Sequence, residues 1–380
     1  MTQSRDPQGD HAQLYAQLFA HYDRAPIRVP DHPATHEILR LLYTPHKARL
    51  ALKLPLVSRG RVSPGELLDG ATEPASELLA TLDEMIDQGL VLASGREDKP
   101  YRALWDFFFL MTDVIFARLE DTPLQAQLGR LREQLWQAGW SHQIFSSAYP
   151  FVRVLPYEAQ IDGQQAVLDH ERATHILEQA DAIALTSNAC HVAAQQSGSP
   201  ALKACPPASA GYFCLNASAH YFVRYRGARY VALDEAKAMV AASSAAGLVL
   251  TAMNQRERVS NICLCSPDSC IHFRELRDAG NSAAIAVSGY TPQIVHSACN
   301  ACGDCVAACP TSALLKIPQA GQNGGGAGQS LGLLQDKCVG CGLCAAACTP
   351  GAISMRRSCE MPVERTGADA WRAFEEQRRW

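Results

Sequence analysis

Apolar positions recur at helical spacing through the first hundred residues, and helix stops punctuate them. The stretch "THEILRLLYTPHKARLALKLPL" (35–56) carries that spacing. "SPGELLDG" opens with Ser63 and Pro64 and places Glu66 three positions after the serine, which predicts a capped helix start. In "TEPASELLATLDEMIDQG" (72–89), Leu78, Leu79, Leu82, Met85 and Ile86 share one face, and Gly89 ends the run. "LVLASGREDKPYRAL" (90–104) reads as two strands around a polar turn. Residues 105–145 read as helical. "YPFVRVLPYE" (149–158), bounded by prolines, marks a crossing into a middle region. From about 160 to 296 the pattern alternates. "QQAVLDHERATHILEQA" and "LDEAKAMVAASSA" read as helices, and "AIAL", "GLVLTA" and "AAIAV" as short strands. A polar, glycine-rich spacer, "QAGQNGGGAGQS", follows at 319–330, and the tail "ADAWRAFEEQRRW" predicts a terminal helix.

The order helix, helix, helix, hairpin in the first 104 residues is that of a winged helix. A recognition helix on DNA needs Arg or Lys for phosphates and base edges. The candidate here carries Glu73, Glu77, Asp83, Glu84 and Asp87 and no basic residue. Lys47, Arg49, Lys53, Arg59 and Arg61 precede it and read as a solvated face. The expectation is therefore no DNA binding, with the domain used for protein docking or for a homo-oligomer.

The chain has 380 residues, 47% hydrophobic and 19% charged, with a net charge of −4. That is room for two or three domains and no global pull toward nucleic acid or anionic lipid. The N-terminus has no apolar signal core, and no run reaches the roughly 18 apolar residues of a membrane span. The expectation is a soluble, cytoplasmic protein. No glycine-rich dinucleotide fingerprint and no phosphate-binding loop with its lysine is present. His170 and His175 fall on a predicted helix and read as surface histidines.

Composition changes the picture at one residue type: the chain has 15 cysteines. In a reducing compartment, clustered cysteines point to metal rather than disulfides. "CNACGDCVAACP" places Cys299, Cys302, Cys305 and Cys309 before Pro310, and "CVGCGLCAAACTP" repeats the spacing with Cys338, Cys341, Cys344 and Cys348. Structural zinc takes paired C-x2-C knuckles. Here three cysteines stand two residues apart and a fourth follows three residues on. Three thiolates in a tight loop suit one iron–sulfur cubane, and the fourth, on the following helix, reaches the other cluster. The expected quartets are crossed: Cys299, Cys302, Cys305 and Cys348 for one 4Fe–4S cluster, and Cys338, Cys341, Cys344 and Cys309 for the other. Residues 297–356 resemble the bacterial two-cluster ferredoxin fold, which implies a pseudo-symmetric domain passing single electrons. The long glycine-rich connection and Thr349 before Pro350 depart from that pattern.

Seven cysteines remain, and Cys359 reads as a free thiol. Cys190, Cys205 and Cys214 form one group and Cys263, Cys265 and Cys270 another, with His191 and His272 beside them. Cys263 and Cys265 share one side of an extended segment. A third iron–sulfur or metal site among these six is left open. The whole chain also resembles a group of largely uncharacterised bacterial and archaeal iron–sulfur proteins with a winged-helix-like domain, a cysteine-bearing middle domain and a two-cluster ferredoxin domain. "EILRLLYTPHKARLALKLPLVSR", "FVRVLPYE", "SNACHV" and "NICLC" carry the likeness together with the two cysteine motifs. The likeness implies more cysteines in the middle domain than this chain has: Asn188, Ser266 and Ser269 stand where further ones are expected.

These readings give an α+β multidomain chain: a winged-helix-like domain (1–104), a helical connector (105–160), an α/β middle domain (161–296), a dicluster ferredoxin domain (297–357) and a tail (358–380). The expected function is relay of single low-potential electrons to or from a redox partner protein. The alternatives are a reductase with a third site in the middle domain and a redox-sensing regulator.

Overall fold

The computed structural model describes residues 7–69, 73–96, 99–120, 122–163, 165, 167–198, 211–319 and 328–378. In chain order the helices are α1 (Pro7–Tyr22), α2 (Pro33–Leu42), α3 (Pro45–Ala51), α4 (Pro64–Leu68), α5 (Ala75–Asp87), α6 (Phe107–Phe109), α7 (Pro123–Leu135), α8 (Ser141–Ile144), α9 (Ala173–Glu178), α10 (Ala189–Ser197), α11 (Ala217–Tyr225), α12 (Leu233–Ser243), α13 (Ile271–Asp278), α14 (Asp304–Ala307), α15 (Leu343–Ala346) and α16 (Gly367–Glu376). The strands are β1 (Val91–Arg96), β2 (Lys99–Leu104), β3 (Val152–Val154), β4 (Ile183–Ser187), β5 (Gly211–Leu215), β6 (Arg229–Tyr230), β7 (Val249–Met253), β8 (Asn261–Cys265), β9 (Tyr290–Ile294), β10 (Leu314–Gln319), β11 (Gly328–Leu333) and β12 (Ile353–Arg357). The chain divides into two compact units: residues 1–146, 189–200 and 220–229, and residues 147–188, 201–219 and 230–380.

In the first unit, α2 to α5 lead into the antiparallel hairpin β1–β2, whose turn at 97–98 lies outside the described residues. Leu56 and Val62 bridge to the outer strand at Leu104 and Arg102. The expected capping box is present: the Ser63 side chain accepts from Glu66 N–H, and the Glu66 carboxylate accepts from Ser63 N–H. Helix α5 buries Leu78, Thr81, Leu82, Met85 and Ile86, while Glu77, Asp83, Glu84 and Asp87 face water. Lys47 departs from the expected solvated face. It is buried, and its ammonium sits 2.6 Å from Glu84 and 3.0 Å from Gln88 of α5. The long amine needs those partners because α3 turns it inward onto α5. Lys53 lies 3.7 Å from Glu73 in the same way. Leu82 is 1% exposed. Leu82→Ala is expected to cost about 2–5 kcal/mol by cavity formation, read as a lower thermal midpoint with visible absorbance unchanged in the folded protein.

The helical stretch 105–145 forms, with π-helical turns at Leu110–Val114 and Trp136–Trp140 and a kink at Gly139, whose φ is +89°. Its rings make the core here: Phe107 packs edge-on against Tyr22 and Trp140.

The second unit is built on a six-stranded sheet, in the order β3-β7-β8-β5-β4-β6. "FVRV" becomes its edge strand β3. The expected α/β alternation is present, but the pairs β3–β7, β7–β8, β8–β5 and β5–β4 are all antiparallel. Two expected elements change. Of the helix expected over 164–180, residues 164 and 166 lie outside the described residues; the described remainder holds a 3₁₀ turn at Asp169–Glu171 and the short α9, with Glu171 held by Arg357 and Tyr290. "AAIAV" is a 3₁₀ turn at Ser282–Ala284, capped by the Asn281 side chain, plus a single bridge from Ala286 to Arg153. The tail forms α16, opened by a Thr366/Asp369 capping box.

Residues 290–357 of this unit are two matched halves. Strand β9 leads into the first cysteine motif and β10 leaves it; β11 leads into the second and β12 leaves it. β9 pairs with β12, and β10 with β11. The spacer between β10 and β11 lies at 320–327, outside the described residues. Arg357 of β12 sits opposite Tyr290 of β9. Its guanidinium lies 2.8 Å from Glu171 Oε1, its second nitrogen 2.5 Å from Oε2, and Tyr290 donates to the same carboxylate at 2.9 Å. Burial disfavours the Glu171 charge, but Arg357, Leu168 N–H and Tyr290 outweigh it and hold the carboxyl below its usual range. Glu171→Ala is expected to cost about 2–3 kcal/mol. That is less than for a fully buried pair, because the Arg357 side chain keeps 24% exposure. Chemical denaturation at neutral pH reads it.

Candidate metal centres

The eight motif cysteines fall into two backbone environments that repeat residue for residue. The residue two after the first cysteine is left-handed in both halves, Ala301 (φ +58°) and Gly340 (φ +72°). So are Gly303 (+92°) and Gly342 (+88°), which precede α14 and α15, and Ser312 (+53°) and Gly351 (+66°), three after the last cysteine. These turns aim backbone N–H groups at sulfur. Ala301 N–H donates to Cys299 Sγ (3.4 Å), and Gly340 N–H to Cys338. Val306 N–H donates to Cys305, and Ala345 N–H to Cys344. Ala313 N–H reaches Cys309 Sγ and Ala352 N–H reaches Cys348 Sγ, both at 3.2 Å. Leu343 N–H serves Cys341. A sulfur met by N–H donors is prepared to carry negative charge.

The thiols also sort by which ones feel each other. Burial pushes up the Cys305 thiol first, and then Cys348, Cys302 and Cys299 push it further. In the other set, burial pushes Cys341 up to about 12, with Cys309 and Cys338 adding to it. Burial likewise raises Cys344, followed by Cys341, Cys338 and Cys309. Each last cysteine thus faces the other motif's triplet. Buried thiols raised further by neighbouring thiols, as Cys338, Cys341 and Cys344 are, hold thiolates only around a positive centre, so the donor chemistry fits soft metal. Cys309, Cys338, Cys341 and Cys344 line one small pocket that opens to solvent, walled by Pro292, Leu314, Leu333 and Val339.

The two centres differ in depth. Cys302 is exposed, and Lys316 crosses beside it, its ammonium 3.0 Å from the Cys302 carbonyl. Cys341 and Cys344 are buried, and the second motif is tied to the middle sheet. Tyr157 N–H donates to Cys341 O (3.2 Å), Ser288 N–H to Val339 O, and Ser288 hydroxyl to Gly340 O (2.7 Å).

Of the six middle cysteines, the second unit brings three together. Cys263 and Cys265 lie on one face of β8, and the Cys265 thiol donates to Cys263 Sγ at 3.2 Å. Cys270, at the start of α13, lies within hydrogen-bonding reach of Cys265. Cys214 is buried on β5, opposite Asn261 of β8. Cys190 and His191 lie on α10 in the first unit, and Cys205 lies outside the described residues. His272 gives its Nδ1 to Ala284 O (2.7 Å) and is pushed down to about 4 by burial, so it stands neutral. Cys359 is exposed, 3.7 Å from Met361 Sδ. Among the described residues, no three His, Cys, Asp or Glu side chains are arranged to hold a single metal ion. His170 and His175 line an open surface pocket with Arg256 and Arg258.

Two residues around the middle thiols, Thr251 and Tyr157, escape sequence reasoning, and a third, Asn188, entered it only as a departure from the cysteine pattern. Asn188 donates through Nδ2 to Cys263 Sγ at 3.1 Å; its place in the cysteine pattern was its only signal. Thr251 of β7 lies 3.2 Å from Cys265 Sγ, and Tyr157 lies near both Cys265 and Cys341. Only the strand register finds these two.

Among the described residues no helix is long and apolar enough to cross a membrane. Comparison with curated proteins and with solved structures finds no match for the chain. Comparison with protein families finds that residues 298–352, the segment holding both cysteine motifs, match the model of the 4Fe-4S dicluster domain.

Proposed function

We propose that this protein relays single electrons through two 4Fe–4S clusters. Cys299, Cys302, Cys305 and Cys348 hold the first, and Cys338, Cys341, Cys344 and Cys309 hold the second. The repeated pattern of left-handed turns and N–H···Sγ bonds carries this reading, because it gives both quartets the same charge-accepting environment. The clusters supply one-electron redox chemistry, and the chain sets its direction. The exposed Cys302 side faces a redox partner protein, and the buried Cys341 side faces the middle sheet. Backbone donors, burial and Lys316 tune the potentials. Iron and acid-labile sulfide on anaerobically purified protein, with EPR after dithionite reduction, test it. About eight of each and two magnetically coupled signals are expected. About four of each, or a single uncoupled signal, refutes it.

A second reading makes the protein a reductase with a further site in the middle sheet. The three converging thiols Cys263, Cys265 and Cys270 favour it. The winged-helix-like segment serves protein docking or self-association, since α5 presents carboxylates outward and Lys47 and Lys53 already face acidic partners. No salt-steep binding to duplex DNA is expected in a fluorescence anisotropy titration.

A further inference from the structure

We infer that Cys263 and Cys265 form a redox-active dithiol that is re-reduced through the Cys341 cluster site and acts on a disulfide substrate. The inference rests on the two-cluster reading and adds the acceptor that reading lacks.

Geometry selects the pair. The two sulfurs stand 3.2 Å apart on one face of β8. Residues two apart on a strand have Cα atoms about 6.6 Å apart, within the span a disulfide bridges. The surroundings give the two sulfurs different roles. Cys263 is half-buried, and its sulfur is met by two donors, the Asn188 amide and the Cys265 thiol. Cys265 is 3% exposed and contacts Thr251 and Cys270. Cys263 is thus the sulfur that a substrate reaches, and Cys265 the one that resolves. The cysteine-richer pattern expected here is replaced by Asn188, Ser266 and Ser269. Ser269, in the loop joining Cys265 to Cys270, keeps a buried hydroxyl with no hydrogen-bond partner among the described residues.

One residue joins the pair to the second centre. Tyr157 donates its N–H to the Cys341 carbonyl, and its Cβ lies against Gly342. Its hydroxyl bonds Ser243 and the Leu248 carbonyl, both at 2.8 Å, and Leu248 is followed by Val249, the register partner of Cys265.

The step balances. The Cys263 sulfur attacks a substrate disulfide, one substrate thiol leaves with a proton, and a mixed disulfide forms. Cys265 then attacks Cys263, releasing the second substrate thiol and closing a Cys263–Cys265 bond. That bond breaks on taking two electrons and two protons. The protons come from water, and a low-potential one-electron donor supplies the electrons. Two 4Fe–4S clusters held by the motif cysteines would supply one-electron chemistry matched to the two electrons of one disulfide.

The test uses anaerobic cluster-loaded protein treated with glutathione disulfide. Alkylation and peptide mapping then follow the thiols, and a reductive titration counts electrons. The expected result is a Cys263–Cys265 crosslink and about four electrons per chain, against about two for Cys263→Ser with unchanged iron and EPR. Cys265→Ser should instead retain glutathione on Cys263. Free Cys263 and Cys265 after treatment, with a wild-type count of about two, overturn the inference. So does about twelve iron, which makes these thiols metal ligands. Iron well below about eight refutes the two-cluster reading instead, whatever the thiols do.

Discussion

Cys341→Ala is expected to remove about half of the bound iron and sulfide, from about eight of each to about four, and to abolish the magnetic coupling between reduced clusters. Cys341 is the most buried of its proposed set, and burial pushes its thiol up to about 12. Removing it strips a cluster from the inside, where no water ligand substitutes readily. The sharper outcome concerns Cys309. It lies in the first motif, yet Cys341 and Cys344 both feel it. Cys309→Ala should therefore share the Cys341→Ala phenotype, and Cys309→Ala/Cys341→Ala should be no worse than either alone. Cys302→Ala should leave the complementary half of the iron, with a different EPR signal. If Cys309→Ala pairs with Cys302→Ala instead, the crossed ligation is wrong. Anaerobic iron analysis and dithionite-reduced EPR on the single and double variants separate these cases.

The cysteine pattern was legible because metal ligation is a short-range constraint: spacing alone fixes which sulfurs share a loop. The helical stretches leading to α5, the Ser63 capping box and the β1–β2 hairpin were legible for the same reason, since caps and apolar faces act within one or two turns, but the break at Thr44–Pro45 that splits the first stretch into α2 and α3 was not read. What depends on tertiary partners was not. Lys47 reads as solvent-facing until α3 is seen to lean on α5. Glu171 reads as a helical residue until Arg357, far along the chain, takes its carboxylate. The antiparallel order of the middle sheet was hidden because short apolar runs look alike in either direction. The convergence of Cys270 with Cys263 and Cys265 was visible in part, whereas Thr251 and Tyr157 enter only through the register of β7 with β8 and the path of the chain after β3.

The second large effect falls on a residue with no ligand atom. Gly340→Ala should cost the protein its second cluster while all eight cysteines remain. Gly340 has φ +72°, where a side chain adds about 1–2 kcal/mol of strain. Space is the harder limit. A Cβ there would stand 2.2 Å from Ser288 Oγ and 2.3 Å from the Tyr290 carbonyl, so backbone must move. Ser288 cannot turn away freely, because it donates to Gly340 O and accepts from Tyr290 N–H. Tyr290 is fixed in turn by Glu171 and Arg357. Overpacking adds about 1–3 kcal/mol, so the sum is about 2–5 kcal/mol, concentrated on the loop that shapes the Cys338 and Cys341 sulfurs. Two controls separate strain from crowding. Gly303→Ala has a similar backbone (φ +92°) but meets only the flexible end of Lys316, so it should carry the strain alone. Ala301 occupies the matching position in the first motif and already bears a Cβ at φ +58°, so Ala301→Gly should leave the iron intact. Iron content and thermal midpoint of the three variants decide it. A Gly340→Ala protein that retains all its iron and melts with Gly303→Ala would show that β9 and the second motif do not approach as closely as Ser288 and Tyr290 place them.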